Sequence, residues 1–182
     1  SILRDHKGLQ NTDLGLANEM AINQFIAHHS VIFQPEKRLM WVSTSPWQCG
    51  KYVAYDLNKI FKDTIDWQHE IYSSDLTIPE DKFIDTPEFQ HLLTYKKLTP
   101  LLLKKIRKKE QIEESVLKTY QASNPSLYYV YEVIGDYYEA MQQSKQAIAY
   151  WQQALKKSIP KLQEKERIQQ KIQKQSKDGK ES

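Results

Sequence analysis

The fold of this chain turns on one stretch, Asn23 to Leu57, "NQFIAHHSVIFQPEKRLMWVSTSPWQCGKYVAYDL". Within it "HSVIFQ" (29–34) and "LMWVST" (39–44) read as strands, and "PEKR" (35–38) opens with Pro, as a turn between them does. Successive side chains of a strand point to opposite faces. Val31 and Phe33 therefore share one face while Ile32 takes the other, and Leu39 and Trp41 alternate in the same way with Met40 and Val42. Apolar residues lie on both faces. Such a hairpin belongs inside a layered structure, because a sheet with one wet face alternates apolar with polar residues. Beyond it, "SPWQCG" is loop with Gly50 as a turn, and "KYVAYDLNKIF" reads as a strand end or a short helix. Upstream, Leu16, Met20, Ile22 and Phe25/Ile26 at mostly helical spacing predict a helix over 14–27.

From residue 62 onward the character changes. "IYSSDLTIPEDKFIDT" is loop-like, and Asp85-Thr86-Pro87-Glu88 starts a helix with Pro at its first position and acid beside it. Thr99-Pro100 is expected to start a second helix, broken at Asn124-Pro125-Ser126. Three more helices follow, over 127–141, 144–158 and 160–175, and "SKDGKES" closes the chain with no apolar residue, as a disordered tail does. The expected class is α+β: a few-stranded antiparallel sheet over 1–62, a connecting loop over 63–84, a helical domain over 85–176 and a tail over 177–182.

One repeat signature sits in the helical half. Tyr131, Ile134, Gly135 and Tyr138, then Ala147 and Trp151, with Ala154 and Pro160 after them, keep the spacing of a tetratricopeptide helical pair. Gly135, Ala147 and Ala154 would let two helices approach closely, with aromatics filling the wedge. Any antiparallel helical pair is the plainer reading. One copy is too few for a long peptide-binding groove.

Composition narrows the function classes. The chain has 182 residues, 40% apolar and 27% charged, with 11 Tyr and 4 Trp to supply core area. Net charge is +3 overall, but residues 156–182 alone carry nine Lys/Arg against four Asp/Glu, so the remainder is slightly acidic. That is not the broad basic face of a nucleic-acid protein. Gln interleaves the charges of this last stretch, which suits a solvated helix. The single cysteine, Cys49, forms no internal disulfide and no cysteine zinc site, and it leaves the compartment open. No apolar run reaches membrane-spanning length. The chain opens "SILRDHKGLQ", without the apolar segment of a leader and without Met, as a processed chain or a fragment would.

No residue is assigned a catalytic, cofactor-binding or metal-ligating role on this basis. His28-His29 are neighbours in a strand, point apart and do not chelate one ion easily. His69-Glu70 lacks the second His of a zincin motif. Cys49 has no visible base or helix N-terminus to activate it. Arg4-Asp5-His6 has the residue types of a charged network near a site, though three consecutive residues rarely form a triad. "KKIRKK" (104–109) reads as a solvated helix face.

The segments "ILRDH" (2–6), "NQFIAHHSVIFQPEKRLMWVST" and "GKYVAYDL" resemble the C-terminal region of the acyl-CoA:6-aminopenicillanic-acid acyltransferase group of N-terminal-nucleophile (Ntn) hydrolases, relatives of choloylglycine hydrolase. The resemblance covers residues 2–61. It implies that the two-faced hairpin lies late in a four-layer αββα fold, and that residues 85–175 are a helical, tetratricopeptide-like extension of the kind some bacterial members carry. It also implies an activity that depends on an N-terminal Cys freed by self-cleavage, attacking an amide or thioester carbonyl with its own α-amino group as base. Ser1 is N-terminal, yet "SILRD" lacks the strand–turn–strand that follows such a nucleophile. The resemblance therefore implies the C-terminal portion of an acyltransferase or amidohydrolase, structural and without its nucleophile, whose partner is the N-terminal remainder of the enzyme. Self-association through exposed strand edges is the second expected contact. The alternative is a stand-alone helical protein–protein interaction module with a small β attachment.

Overall fold

The computed structural model describes residues 2–27, 29–62 and 71–178. The expectations for Ser1, His28 and His69-Glu70 fall outside these residues. The chain is α+β, with a four-stranded antiparallel sheet and six α-helices among the described residues. It divides into two compact units, one of residues up to Asp5 with Ile22–Thr86, the other of His6–Ala21 with the chain from Pro87 onward. The stretch 6–21 thus belongs with the helices, not with the sheet as the 1–62 boundary would have it. Its reason is local. Asn124 clamps Leu16, donating from Nδ2 to its carbonyl at 2.7 Å and accepting from its N–H at 3.0 Å. Gly15, at φ +80°, lies so close to Leu127 that a Cβ there would sit 2.4 Å from the Leu127 nitrogen.

In the sheet unit β1 (Val31–Gln34) and β2 (Leu39–Ser43) form the expected hairpin, joined by a 3-10 turn at Pro35–Lys37 that Arg38 ends in the left-handed region. β3 (Tyr52–Asp56) pairs with β2 and runs into a one-turn helix α1 (Leu57–Ile60), so both readings of "KYVAYDLNKIF" hold, in succession. The Asp56 side chain caps α1 by accepting from the Asn58 N–H at 3.0 Å. β4 (Ser73–Ile78) pairs with β3 across a register shift. The interval 63–84 is therefore not all connecting loop. "SSDLTI" hides its nature because an edge strand with mostly exposed residues has little apolar alternation to show. The order is β1-β2-β3-β4.

The predicted helix over 14–27 is absent; turns and extended chain occupy the stretch. Ala17 and Phe25 take positive φ, 66° and 51°. Asn18 and Asn23 are buried and turn their side-chain oxygens onto the backbone two residues on, to Met20 and Phe25. Asparagine at such positions competes with helix formation by supplying a local turn.

In the helical unit α2 (Pro87–Arg107) begins at Pro87 as expected but runs unbroken through Pro100. Phe89, Leu92, Tyr95 and Leu102 are buried on both sides of it, and their packing outweighs the lost hydrogen bond. The break comes instead at 108–113, where Lys109 is left-handed at φ 53°. α3 (Glu114–Ser123), α4 (Tyr128–Ala140), α5 (Ser144–Leu155) and α6 (Leu162–Asp178) complete the unit.

α4 and α5 form a tight helical hairpin. Trp151 is fully buried between them, flanked by the buried Ala147 and Ala154. A Cβ on Gly135 would lie 2.5 Å from the indole, so only glycine fits there. α6 is fastened to α4 by polar bonds one helical turn apart. Tyr128 donates to Glu164 at 2.8 Å. Arg167 grips Glu132 with two bonds of 2.9 and 3.1 Å, and Lys171 bridges Glu132 and Asp136 at 2.7–2.9 Å. Gln175 donates to Glu139 at 3.1 Å. Part of the face expected to be solvated is thus committed to a neighbouring helix.

Candidate functional site

In the sheet unit the residues with chemical potential gather around Arg4. Its guanidinium gathers three backbone carbonyls from two distant segments: Gln48 at 3.2 Å, Gly50 at 2.9 Å and Pro79 at 2.8 Å. Asp81 is 3.7 Å from Nε, and the guanidinium lies 5.4 Å from the centre of the Tyr52 ring. An arginine suits this place because its planar fork of donors serves several acceptors at fixed angles.

The loop "SPWQCG" is pre-set for this clasp. Thr44 donates to the Lys51 carbonyl at 2.7 Å, and Cys49 to that of Pro46 at 3.0 Å. Gly50 is needed because a Cβ would sit 2.4 Å from the carbonyl oxygens of Thr44 and Ser45. Beside the loop opens a cavity of about 480 Å³ lined by His29, Ser43, Thr44, Ser45, Pro46 and Trp47.

Cys49 is buried and accepts from Asn23 Nδ2 at 3.7 Å. Burial pushes its thiol up, and the Asp81 carboxylate pushes it further. An amide takes no proton from a thiol, so the surroundings of Cys49 hold it as a thiol instead of activating it. Two buried side-chain polar atoms have no hydrogen-bond partner among the described residues, the Gln48 Oε1 and the Tyr52 hydroxyl, and Tyr52 is only 2% exposed. A buried polar atom left unpaired costs about 1–3 kcal/mol.

The sequence candidates scatter over this arrangement. Arg4 stands at its centre. Asp5 contributes a backbone carbonyl, which accepts from the Asn23 N–H at 2.7 Å, and His6 belongs to the helical unit. His29 lies before β1, exposed at the cavity. No cluster of three or more His, Cys, Asp or Glu side chains that would hold a metal ion occurs among the described residues. Residues that the sequence did not mark are Asn23, Gln48, Tyr52 and Asp81. Arg4 meets the loop and the 79–81 segment mainly through main-chain carbonyls, which residue type does not advertise.

The sheet itself carries the second feature. Its register places Val31, Val42 and Val53 side by side, and likewise Phe33, Met40 and Tyr55. These six share one face, on which Val31 is 41% and Phe33 63% exposed. The opposite face holds the buried Ser43, Tyr52, Ala54 and Ser73. No helix among the described residues is long and apolar enough to cross a membrane.

No family model, no curated protein and no solved structure matches the chain.

Proposed function

We propose that the sheet unit is the C-terminal portion of an Ntn-type acyltransferase or amidohydrolase, a structural part of the enzyme that does not carry the nucleophile. The observation that carries this reading is the apolar face of Val31, Phe33, Met40, Val42, Val53 and Tyr55, on which Val31 and Phe33 are exposed and the other four half-buried. An antiparallel sheet with apolar residues on both faces needs a layer on each. The resemblance of "ILRDH", the hairpin and "GKYVAYDL" to the acyltransferase group says what that layer is: the second sheet of an αββα sandwich, from the remainder of the enzyme. In this reading Arg4 is a positioning residue that fixes the 45–50 loop, and the helical unit is an appended, tetratricopeptide-like element held by the Gly135–Trp151 contact.

The test is activity. The reading frame upstream is expressed together with this chain, and amide and thioester substrates are offered. The expected result is turnover that disappears when a cysteine exposed by self-cleavage upstream is changed to alanine. The chain alone is expected to be inactive. Turnover by the chain alone that survives both Cys49→Ala and Ser1→Ala overturns the proposal, and so does a start codon adjacent to Ser1.

The alternative, a stand-alone helical interaction module, draws on one observation: the unit from Pro87 onward has its own buried core of Leu92, Leu102, Tyr120, Ile134, Trp151 and Ile168. That start codon is the result that favours it.

A further inference from the structure

The helical unit contains a cavity of about 220 Å³ whose walls include Tyr95, Tyr128 and Tyr129 together with Glu19 and Glu164. We propose that this cavity binds an alkylammonium group, either the head of a small quaternary amine or the side chain of a methylated lysine.

Size, lining and rigidity each support it. Drug-sized ligands fill pockets of about 300–1,000 Å³, so this one suits a head group only. Its lining holds three tyrosines, two carboxylates and no cationic side chain, a composition that favours a cation over an anion. The rings of Tyr128 and Tyr129 meet at 66°, with centroids 6.2 Å apart, and make a corner. Aromatic rings attract a cation through their quadrupole, most strongly where water is removed, and clusters of them recognise quaternary ammonium. Burial, then the bond to Glu164, holds the Tyr128 hydroxyl protonated well above the ordinary tyrosine range. Tyr128 is therefore a neutral wall, and Glu164 is the acceptor of its hydrogen bond. Glu19, which lines the cavity at its exposed rim, pairs with Lys161, also exposed.

The wall opposite the helices is pre-formed. Ala17, held at φ 66°, and the buried Asn18 line it. Asn18 Nδ2 donates to the carbonyls of Leu14 and Ser158, each at 3.0 Å. With the Asn124 clamp on Leu16, that fixes the segment before any ligand arrives, and a fixed site loses less entropy on binding.

The experiment titrates the full chain with three probes and follows the aromatic proton resonances of Tyr128 and Tyr129. Choline carries the charge, 3,3-dimethylbutanol has the same shape without it, and a short peptide carries trimethyllysine. Choline or the peptide is expected to shift both residues saturably, and the neutral alcohol to bind at least about tenfold more weakly. Glu164→Gln should weaken the charged probes about tenfold and leave the alcohol unchanged. Glu19→Gln, at the exposed rim, should act in the same direction without disturbing the core, and it carries the test if Glu164→Gln does not fold. Tighter binding of the peptide assigns the source to a protein side chain, and tighter binding of choline assigns it to a small molecule. Equal binding of choline and the alcohol overturns the proposal, as does the absence of any shift at Tyr128 and Tyr129.

Discussion

Gly135 has no side chain because Trp151 occupies the place where one would be. The indole is fully buried and donates from Nε1 to Asp136 at 2.9 Å, so it is packed and hydrogen-bonded at once. Trp151→Ala is expected to lower unfolding free energy by about 3–5 kcal/mol. Gly135→Ala, which forces a methyl to within 2.5 Å of the ring, is expected to lower it by about 1–3 kcal/mol. Denaturant midpoints against the exposed control Gln152→Ala check both, and midpoints equal to the control would show that the indole is not the wedge. Lys171, which the sequence presents as a solvated residue, is unsuitable as a control because three of its bonds reach Glu132 and Asp136. Burial disfavours the Lys171 ammonium, but Asp136 and Glu132 more than offset this and hold its pKa above the ordinary lysine value. Asp136 is itself pushed upward, because its burial outweighs the attraction of Lys171. The ammonium, where bonds from two carboxylates converge, is where the stabilisation resides. A folded pKa raised above the unfolded one gives stability that is complete below the ordinary lysine value and is lost as pH rises through the raised one. Stability should therefore fall above pH about 10.5 in the wild type more steeply than in Lys171→Met, and parallel curves would contradict this.

At the scale of elements, legibility followed how much of the cause lay in side-chain type. The β1–β2 hairpin was legible to within two residues because both its faces are apolar and its turn opens with Pro35. α4 and α5 were legible from the spacing of Tyr131, Gly135, Ala147 and Trp151. β4 was not, since "SSDLTI" is an exposed edge strand whose identity lies in main-chain pairing with β3. Nor was the clasp around Arg4, whose hydrogen bonds all go to backbone carbonyls. The helix expected over 14–27 lost to side-chain turns at Asn18 and Asn23. Pro100 misled in the other direction, because it suggests a helix start while the buried positions of α2 continue through it. It is exposed and contributes no core packing. A proline inside a helix costs about 3 kcal/mol relative to alanine, part of which α2 has already relaxed. Pro100→Ala should thus raise stability by about 1–2 kcal/mol, read as a higher denaturant midpoint. A lower midpoint would mean that Pro100 sets a bend on which packing depends.

At the scale of the molecule the two units differ in completeness. The helical unit buries its own aromatics, and four successive turns of α6 are bonded to α4. The sheet unit presents one partly exposed apolar face, and among the described residues its edge strands β1 and β4 each pair with one neighbouring strand only. Edge strands and exposed apolar side chains on a sheet face are low-stability features and invite pairing with another chain. The chain alone is expected to self-associate with rising concentration, and Phe33→Lys, at the exposed part of this face, should shift the equilibrium towards monomer in sedimentation.

The most direct test of the account is amide hydrogen exchange at residues 31–43, measured in this chain alone and again with the upstream reading frame attached. Alone, they are expected to exchange faster than residues 128–155 of the helical hairpin, and with the proposed second layer in place their protection is expected to rise to match it. Protection of 31–43 that already equals that of 128–155 in the isolated chain would contradict the claim that this sheet is waiting for a second layer.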